Sequence, residues 1–197
     1  MGLPAKKDDR LYLYRDYRSW SDDERWELIN GVAWNMSPAP SMAHQALSTE
    51  LLFAIRSFLG TGGCRVFAAP FDVLLPESPG QATDDVANVV QPDLSIVCDP
   101  SGLRSYGCEG APDWIIEILS PYTSRRDMLE KLKLYERHGV REYWVVDPGN
   151  RYVHVYVRGA DGRYPDPALH VGVATIPSTV CQGFELRLEQ LFAAVPV

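Results

Sequence analysis

The spacing of apolar positions changes several times along the chain, and each change marks an element. Trp26 to Ile29 and Val32 to Met36 read as two strands, joined by a tight turn at Asn30-Gly31. Ser37-Pro38-Ala39-Pro40-Ser41 breaks that pattern and offers Ser41 as a helix N-cap. Leu47, Leu51, Leu52, Ile55, Phe58 and Leu59 then follow helical spacing, and Gly60-Thr61-Gly62-Gly63 ends the helix. Arg65 to Leu75 reads as a strand, with Pro70 marking an irregularity or an edge. Pro76 to Asn88 is a loop rich in Pro, Gly and Asp. Two β-branched runs follow, Gln91 to Cys98 and Asp113 to Pro121, separated by a loop from Asp99 to Pro112. Ser124 opens a helix to about His138, with Asp127 at N3 and Gly139 as its stop. Glu142 to Val146 is a very apolar strand, and Asp147-Pro148-Gly149-Asn150 turns it into an alternating partner at Tyr152 to Val157. After a turn at Ala160-Asp161-Gly162, the tail carries a strand near Phe184 to Leu188 and a short helix at Glu189 to Ala193.

This order predicts an α/β fold, a mixed sheet flanked by helices. Residues 26–197 read as a single domain. Residues 1–25 read as an arm whose aromatics, Tyr12, Tyr14, Tyr17 and Trp20, dock on the body or on a second subunit.

Composition narrows the function classes. Hydrophobic residues make up 46% of 197, enough for one substantial core. No apolar run approaches the roughly 20 residues that span a bilayer, so no membrane partner is expected. Met1 to Arg10 is charged and shows no secretory signal. Cys64, Cys98, Cys108 and Cys181 form no C-x-x-C pair. Cys98 is expected to be a buried free thiol, in a reducing, cytoplasmic setting without a zinc site. The net charge of −7 argues against a general nucleic-acid-binding surface, so any phosphate-binding region must be local. Arg125, Arg126, Lys131 and Lys133 form the densest basic cluster, for which a solvated helix face is the plainer account. No G-x-S-x-G, P-loop or G-x-G-x-x-G occurs.

The most informative residues are acids inside strands. Asp93 sits at the mouth of one β-branched run, after Pro92, and Glu117 lies inside the other between Ile116 and Ile118. A carboxylate in so apolar a strand is costly unless a cation or a set of donors neutralises it. Two on neighbouring strands suit a hard divalent metal. Alternation places Ile115, Glu117 and Leu119 on one face and Ile116 and Ile118 on the other. A plain turn cap would account for Asp93, and a structural ion pair for Glu117. At about 100° per residue, Met128, Leu129, Leu132 and Tyr135 share a buried helix face. Lys131 lies at its edge and Lys133 points to solvent, while a local Asp127–Lys131 pair is the bland alternative. Glu27 in the first hairpin adds a third acid or simply faces solvent. His44, in the first turn of its helix, touches a metal or phosphate or is an ordinary surface residue. His138, His154 and His170 read as structural.

At these residues the chain resembles the Uma family of restriction-endonuclease-like proteins, within the wider PD-(D/E)XK nuclease superfamily. The resemblance runs from Trp26-Glu27-Leu28-Ile29-Asn30-Gly31 to Asp147-Pro148. It covers His44, Pro92-Asp93, Glu117-Ile118-Leu119-Ser120-Pro121-Tyr122-Thr123, Asp127, Lys131, Tyr135, Gly139-Val140 and Glu142-Tyr143-Trp144. It implies a restriction-endonuclease-like core in which Asp93 and Glu117 bind a divalent cation, Mg²⁺ or Mn²⁺; the backbone carbonyl of Ile118 is a further candidate ligand. The superfamily lysine normally stands two residues after the strand acid, where this chain has Leu119; Lys131 of the next helix fits that role. Glu27 and His44 match the family's early Glu and His. The implied activity is hydrolysis of DNA phosphodiester bonds by a homodimer or higher homo-oligomer, since cutting both strands calls for two sites. A non-catalytic nuclease-fold binding or assembly module and a small-phosphoester hydrolase are the alternatives.

Overall fold

The computed structural model describes residues 6–21, 25–36, 40–120 and 127–195, with the side chains of 127 and 128 outside the description. The arm does dock on the body. Lys6 bridges Trp34, and the chain turns into α1 (Tyr14–Tyr17). Tyr12 and Tyr14 are buried against Trp26, Leu28, Ala33 and Val89.

Asn30 and Gly31 both take positive φ, 52° and 76°. That geometry suits the right-handed twist of a two-residue hairpin turn. It closes β1 (Trp26–Ile29) onto β2 (Val32–Asn35) in antiparallel register. The side chain of Ser41 accepts a hydrogen bond from His44 N and starts α2 (Met42–Leu59). Gly60, at φ 55°, ends it.

The segment expected as one strand from Arg65 to Leu75 is two. β3 (Arg65–Ala68) and β4 (Asp72–Leu74) lie in different sheets. Pro70 has no amide hydrogen to donate, so the ladder stops there and the chain crosses between sheets. The short strands β7 (Leu103–Arg104) and β8 (Gly107–Glu109) lie in a stretch read as loop, and β5 (Val89–Val90) falls between the expected loop and the next run. Too few residues carry each of them to show a period. The two carboxylate-bearing runs form β6 (Leu94–Val97) and β9 (Trp114–Ile118).

A single π-helical turn at Asp127–Lys131 leads into α3 (Leu132–His138), which stops at Gly139 with φ 86°. The expected helix start at Ser124 and the cluster members Arg125 and Arg126 lie outside the described residues. β10 (Glu142–Asp147) and β11 (Tyr152–Val157) form the expected hairpin. β12 (Ala168–Val171) and β13 (Thr175–Pro177) were not visible in the sequence pattern. The chain closes with β14 (Glu185–Arg187) and α4 (Leu188–Ala193).

Among the described residues, the strands make two mixed six-stranded sheets rather than one, ordered β2-β1-β5-β4-β8-β7 and β12-β11-β10-β9-β6-β3, with β13-β14 as a separate pair. On one face of the second sheet, Trp114, Ile116, Ile118, Trp144 and Val146 pack against Leu47, Leu51 and Ile55 of α2 and Leu191 and Phe192 of α4. Each such buried side chain stabilises the fold by about 1.5–3 kcal/mol. Its other face carries Ile115, Leu119, Tyr143 and Val145, which meet Ile29, Val73 and Val90 of the first sheet and Leu134 and Tyr135 of α3. The alternation expected for β9 is therefore observed.

The free-thiol expectation for Cys98 fails: Cys64 and Cys98 are joined in a disulfide. They flank the β3–β6 ladder, next to the Arg65↔Val97 pair, so antiparallel pairing brings together two residues 34 apart in sequence. Cys108 and Cys181 are free and buried. Among the described residues, no helix is long and apolar enough to cross a membrane.

Candidate active site

β1 alternates between two environments. Trp26 and Leu28 face the aromatic arm, so Glu27 and Ile29 point the other way, into the layer between the sheets. Glu117 on β9 enters the same layer from the second sheet, beside Val145 in the adjacent strand. Two buried carboxylates thus approach from opposite sides, Glu27 fully buried and Glu117 nearly so.

Lys131 reaches between them. Its Nζ lies 2.9 Å from Glu27 Oε1 and 2.7 Å from Glu117 Oε1, and the side chain is only 2% exposed. The backbone N–H of Gln91 donates to Glu27 Oε1 at 2.9 Å. The Tyr135 hydroxyl donates to Glu117 Oε1 at 2.8 Å. Burial, and then the negative charge of Glu117, push the Tyr135 phenol well above its usual pKa, so it stays a donor.

The helical wheel placed Lys131 at the edge of a face that includes Leu129, yet Leu129 is 53% exposed while Lys131 is buried. The π turn is the reason. It advances less than 100° per residue, so Asp127–Lys131 falls out of phase with α3 and Lys131 rotates inward. Lys133 faces solvent as expected. Lys131 spans the two glutamates; the local pairing with Asp127 considered for it involves a side chain outside the described residues.

Asp93 stands next to this group. Its Oδ2 accepts the backbone N–H of Ile118 at 2.7 Å, and its Oδ1 lies 3.1 Å from His44 Nε2. His44 is buried in the first turn of α2. All the candidate residues therefore meet through direct contacts: Glu27, Glu117 and Lys131 in one ion cluster, and His44 with Asp93, which is tied to the Ile118 amide. The histidines read as structural lie elsewhere. His138 Nδ1 bonds Leu134 O at the end of α3, and His154 packs between Tyr152 and Tyr156.

Two contributors were missed. Tyr135 stood four residues after Lys131, and that spacing was its signal. The amide of Gln91 had only its place before Pro92-Asp93 to mark it.

The donor chemistry suits a hard divalent cation. Asp93 and Glu117 offer carboxylate oxygens near the backbone of Ile118, which matches the sparse set of protein ligands with which Mg²⁺ is held beside water and phosphate. Among the described residues, no group of three or more His, Cys, Asp or Glu side chains is placed to hold a metal ion.

The solved structure described as "a putative nuclease belonging to DUF820 from Anabaena variabilis ATCC 29413" superimposes with a TM-score of 0.76 at 21% identity, over 95% of this chain and 100% of the other. At that identity the likeness concerns the fold. The uncharacterised protein slr1290 of Synechocystis sp. (strain ATCC 27184 / PCC 6803 / Kazusa) is 24% identical over 150 residues, 75% of this chain and 74% of its own length. The family model Uma2, described as "Putative restriction endonuclease", matches residues 14–189 and so takes in every residue of the cluster. A match over nearly the whole chain, with a nuclease-like fold beneath it, places this protein in the Uma2 family.

Proposed function

We propose that the protein hydrolyses DNA phosphodiester bonds in a reaction that depends on Mg²⁺ or Mn²⁺. One observation carries this reading: an ammonium group held within 2.9 Å of two buried carboxylates from different sheets, beside a third carboxylate pinned to the Ile118 amide. A core built only for stability gains little from such a cluster, because desolvating the charges offsets most of their attraction.

Asp93, Glu117 and the carbonyl of Ile118 would hold the ion. When bound, it supplies a lowered pKa for water and charge stabilisation at the phosphate. The chain's own residues do the rest. His44 and the Ile118 amide fix both oxygens of Asp93. Tyr135 orients Glu117 through its hydroxyl. Lys131 orients the attacking water or neutralises the negative charge that builds on the phosphate. Glu27 holds the lysine in register, and its own orientation depends on the Gln91 amide. Cleavage of both strands requires two such sites, which a homodimer provides.

The test is nicking of supercoiled plasmid with and without Mg²⁺ or Mn²⁺, by wild type and by Glu117→Ala. Metal-dependent nicking by wild type alone is expected. Equal nicking by both proteins, or none by the wild type with either ion, removes the nuclease reading and leaves the non-catalytic module in its place.

A further inference from the structure

The side chain of Gln91 is not part of the ion cluster, yet it is bonded on every side beneath it. Its Nε2 donates to Asp72 Oδ1 at 2.8 Å and to the Tyr17 hydroxyl at 3.1 Å. Its Oε1 accepts from Arg25 NH2 at 2.8 Å. Tyr17 in turn donates to Asp72 Oδ1 at 2.9 Å. These partners come from α1, from the residue preceding β1, and from β4. Three segments distant in sequence therefore grip one amide.

The position of that amide matters for two acids. The backbone N–H of Gln91 bonds Glu27, the carboxylate that faces Lys131. The next residue, Pro92, has a fixed φ and restricts Gln91 to an extended conformation. Asp93 follows at once. A shift of the Gln91 backbone therefore moves both the bond to Glu27 and the start of the segment carrying Asp93.

The arrangement is expensive for a scaffold. Burial raises the Asp72 carboxyl above its ordinary range, against the hydrogen bonds of Gln91 and Tyr17 that favour its charged form. Burial, then the charge of Asp72, pushes the Tyr17 phenol far up. Apolar side chains would fill this space at lower cost.

We infer that Gln91 is a positioning residue of the active site, clamped by Tyr17, Arg25 and Asp72 so that Glu27 and Asp93 keep their places, and that the N-terminal arm thereby belongs to the site. This rests on the nuclease reading above. Gln91 touches no reacting atom; it acts through Glu27 and Asp93.

The experiment measures kcat and KM for DNA cleavage in wild type, Gln91→Ala, Gln91→Glu and Tyr17→Phe, each shown by thermal melting to be folded at the assay temperature. Gln91→Ala is expected to lower kcat by roughly 10- to 100-fold, since small misplacements of catalytic groups carry penalties of that size. KM should change by less than about twofold, because no DNA contact is removed. Gln91→Glu keeps the shape and the Arg25 contact but sets a second negative charge against Asp72. It should be as slow as Gln91→Ala. Tyr17→Phe should lose less, roughly threefold in kcat, since Gln91 keeps Asp72 and Arg25. A folded Gln91→Ala with wild-type kcat overturns the inference, as does a loss confined to KM.

If the wild type cleaves no DNA with either ion, the nuclease reading fails on its own account. The clamp is then decided by a double-mutant cycle on unfolding between Gln91→Ala and Glu27→Gln. Coupling well above the scatter of independent sites supports it, and additive effects overturn it.

Discussion

Glu117 and Glu142 are buried glutamates on adjacent strands of one sheet, and they face opposite ways. Glu117 pairs with Val145 in register and points into the layer between the sheets. Glu142 pairs with Trp114 and points toward the helical layer. Glu142 is closed off by neutral donors. Its Oε1 accepts from Trp144 Nε1, and its Oε2 accepts from Ser178 Oγ, from Thr179 through both N and Oγ1, and from Val180 N. Those bonds fasten the 178–180 turn onto the sheet. Glu117 instead meets an ammonium, a phenol and, beyond the lysine, a second acid. Burial alone does not mark a functional carboxylate. What separates the two is whether the partners saturate the group with fixed neutral dipoles or hold it against a cation shared with a second acid.

The sharpest way to break this contrast is to neutralise each acid in turn. Glu117→Gln should cut DNA cleavage by roughly 10²- to 10³-fold, the loss typical of removing a group that stabilises transition-state charge. Glu142→Gln should instead cost roughly 2–3 kcal/mol of unfolding free energy, because an NH₂ group replaces an oxygen among donors. Parallel cleavage assays and denaturant melts read both effects. An exchange of the two outcomes would undo the comparison.

Lys131→Met tests the cation. It leaves Glu27 and Glu117 facing each other without the ammonium, and breaking a buried pair from one side costs about 3–5 kcal/mol. A urea melt should show that loss, with Mg²⁺ restoring part of it.

The helical side of the sheet has its own staple. Cys64 and Cys98 pack against the same apolar cluster that Glu142 borders. Reducing the disulfide should lower stability by about 4 kcal/mol, the loop-closure contribution for a loop of this length. Melts with and without reductant measure it.

The smallest effect concerns pH. Asp72 has a folded-state pKa raised above its ordinary 3.8. Its contribution to stability is therefore fully present below the unfolded value and is lost as pH rises through the folded one. Asp72→Asn keeps an oxygen for Tyr17 and Gln91 and does not ionise. Its stability relative to wild type should rise as pH increases from about 4 toward neutrality, measured by melts across that range. A constant difference would show that Asp72 is not the source.

What the sequence disclosed and what it hid follow a physical line. Local chemistry was legible: Asn30-Gly31 fixed the hairpin, Ser41 the start of α2, Gly139 the end of α3, and strict alternation the faces of β9. Asp93 and Glu117 stood out because a carboxylate in an apolar run needs a partner, Lys131 stood out by its place at the edge of a helix face, and Glu27 and His44 by the family resemblance. Features that depend on tertiary neighbours stayed hidden. The crossing at Pro70 separates two strands that look continuous. The Cys64–Cys98 bond joins distant residues through strand register. The π turn alters the phase of a helix without altering its composition. The Glu142 cage and the Gln91 clamp draw donors from segments with no shared spacing.

The most direct measurement is a calorimetric titration of Mn²⁺ into wild type, Glu142→Gln and Glu117→Gln. The account predicts ion binding by the first two and its loss in the third. Undiminished binding by Glu117→Gln, or no binding by the wild type, would contradict it.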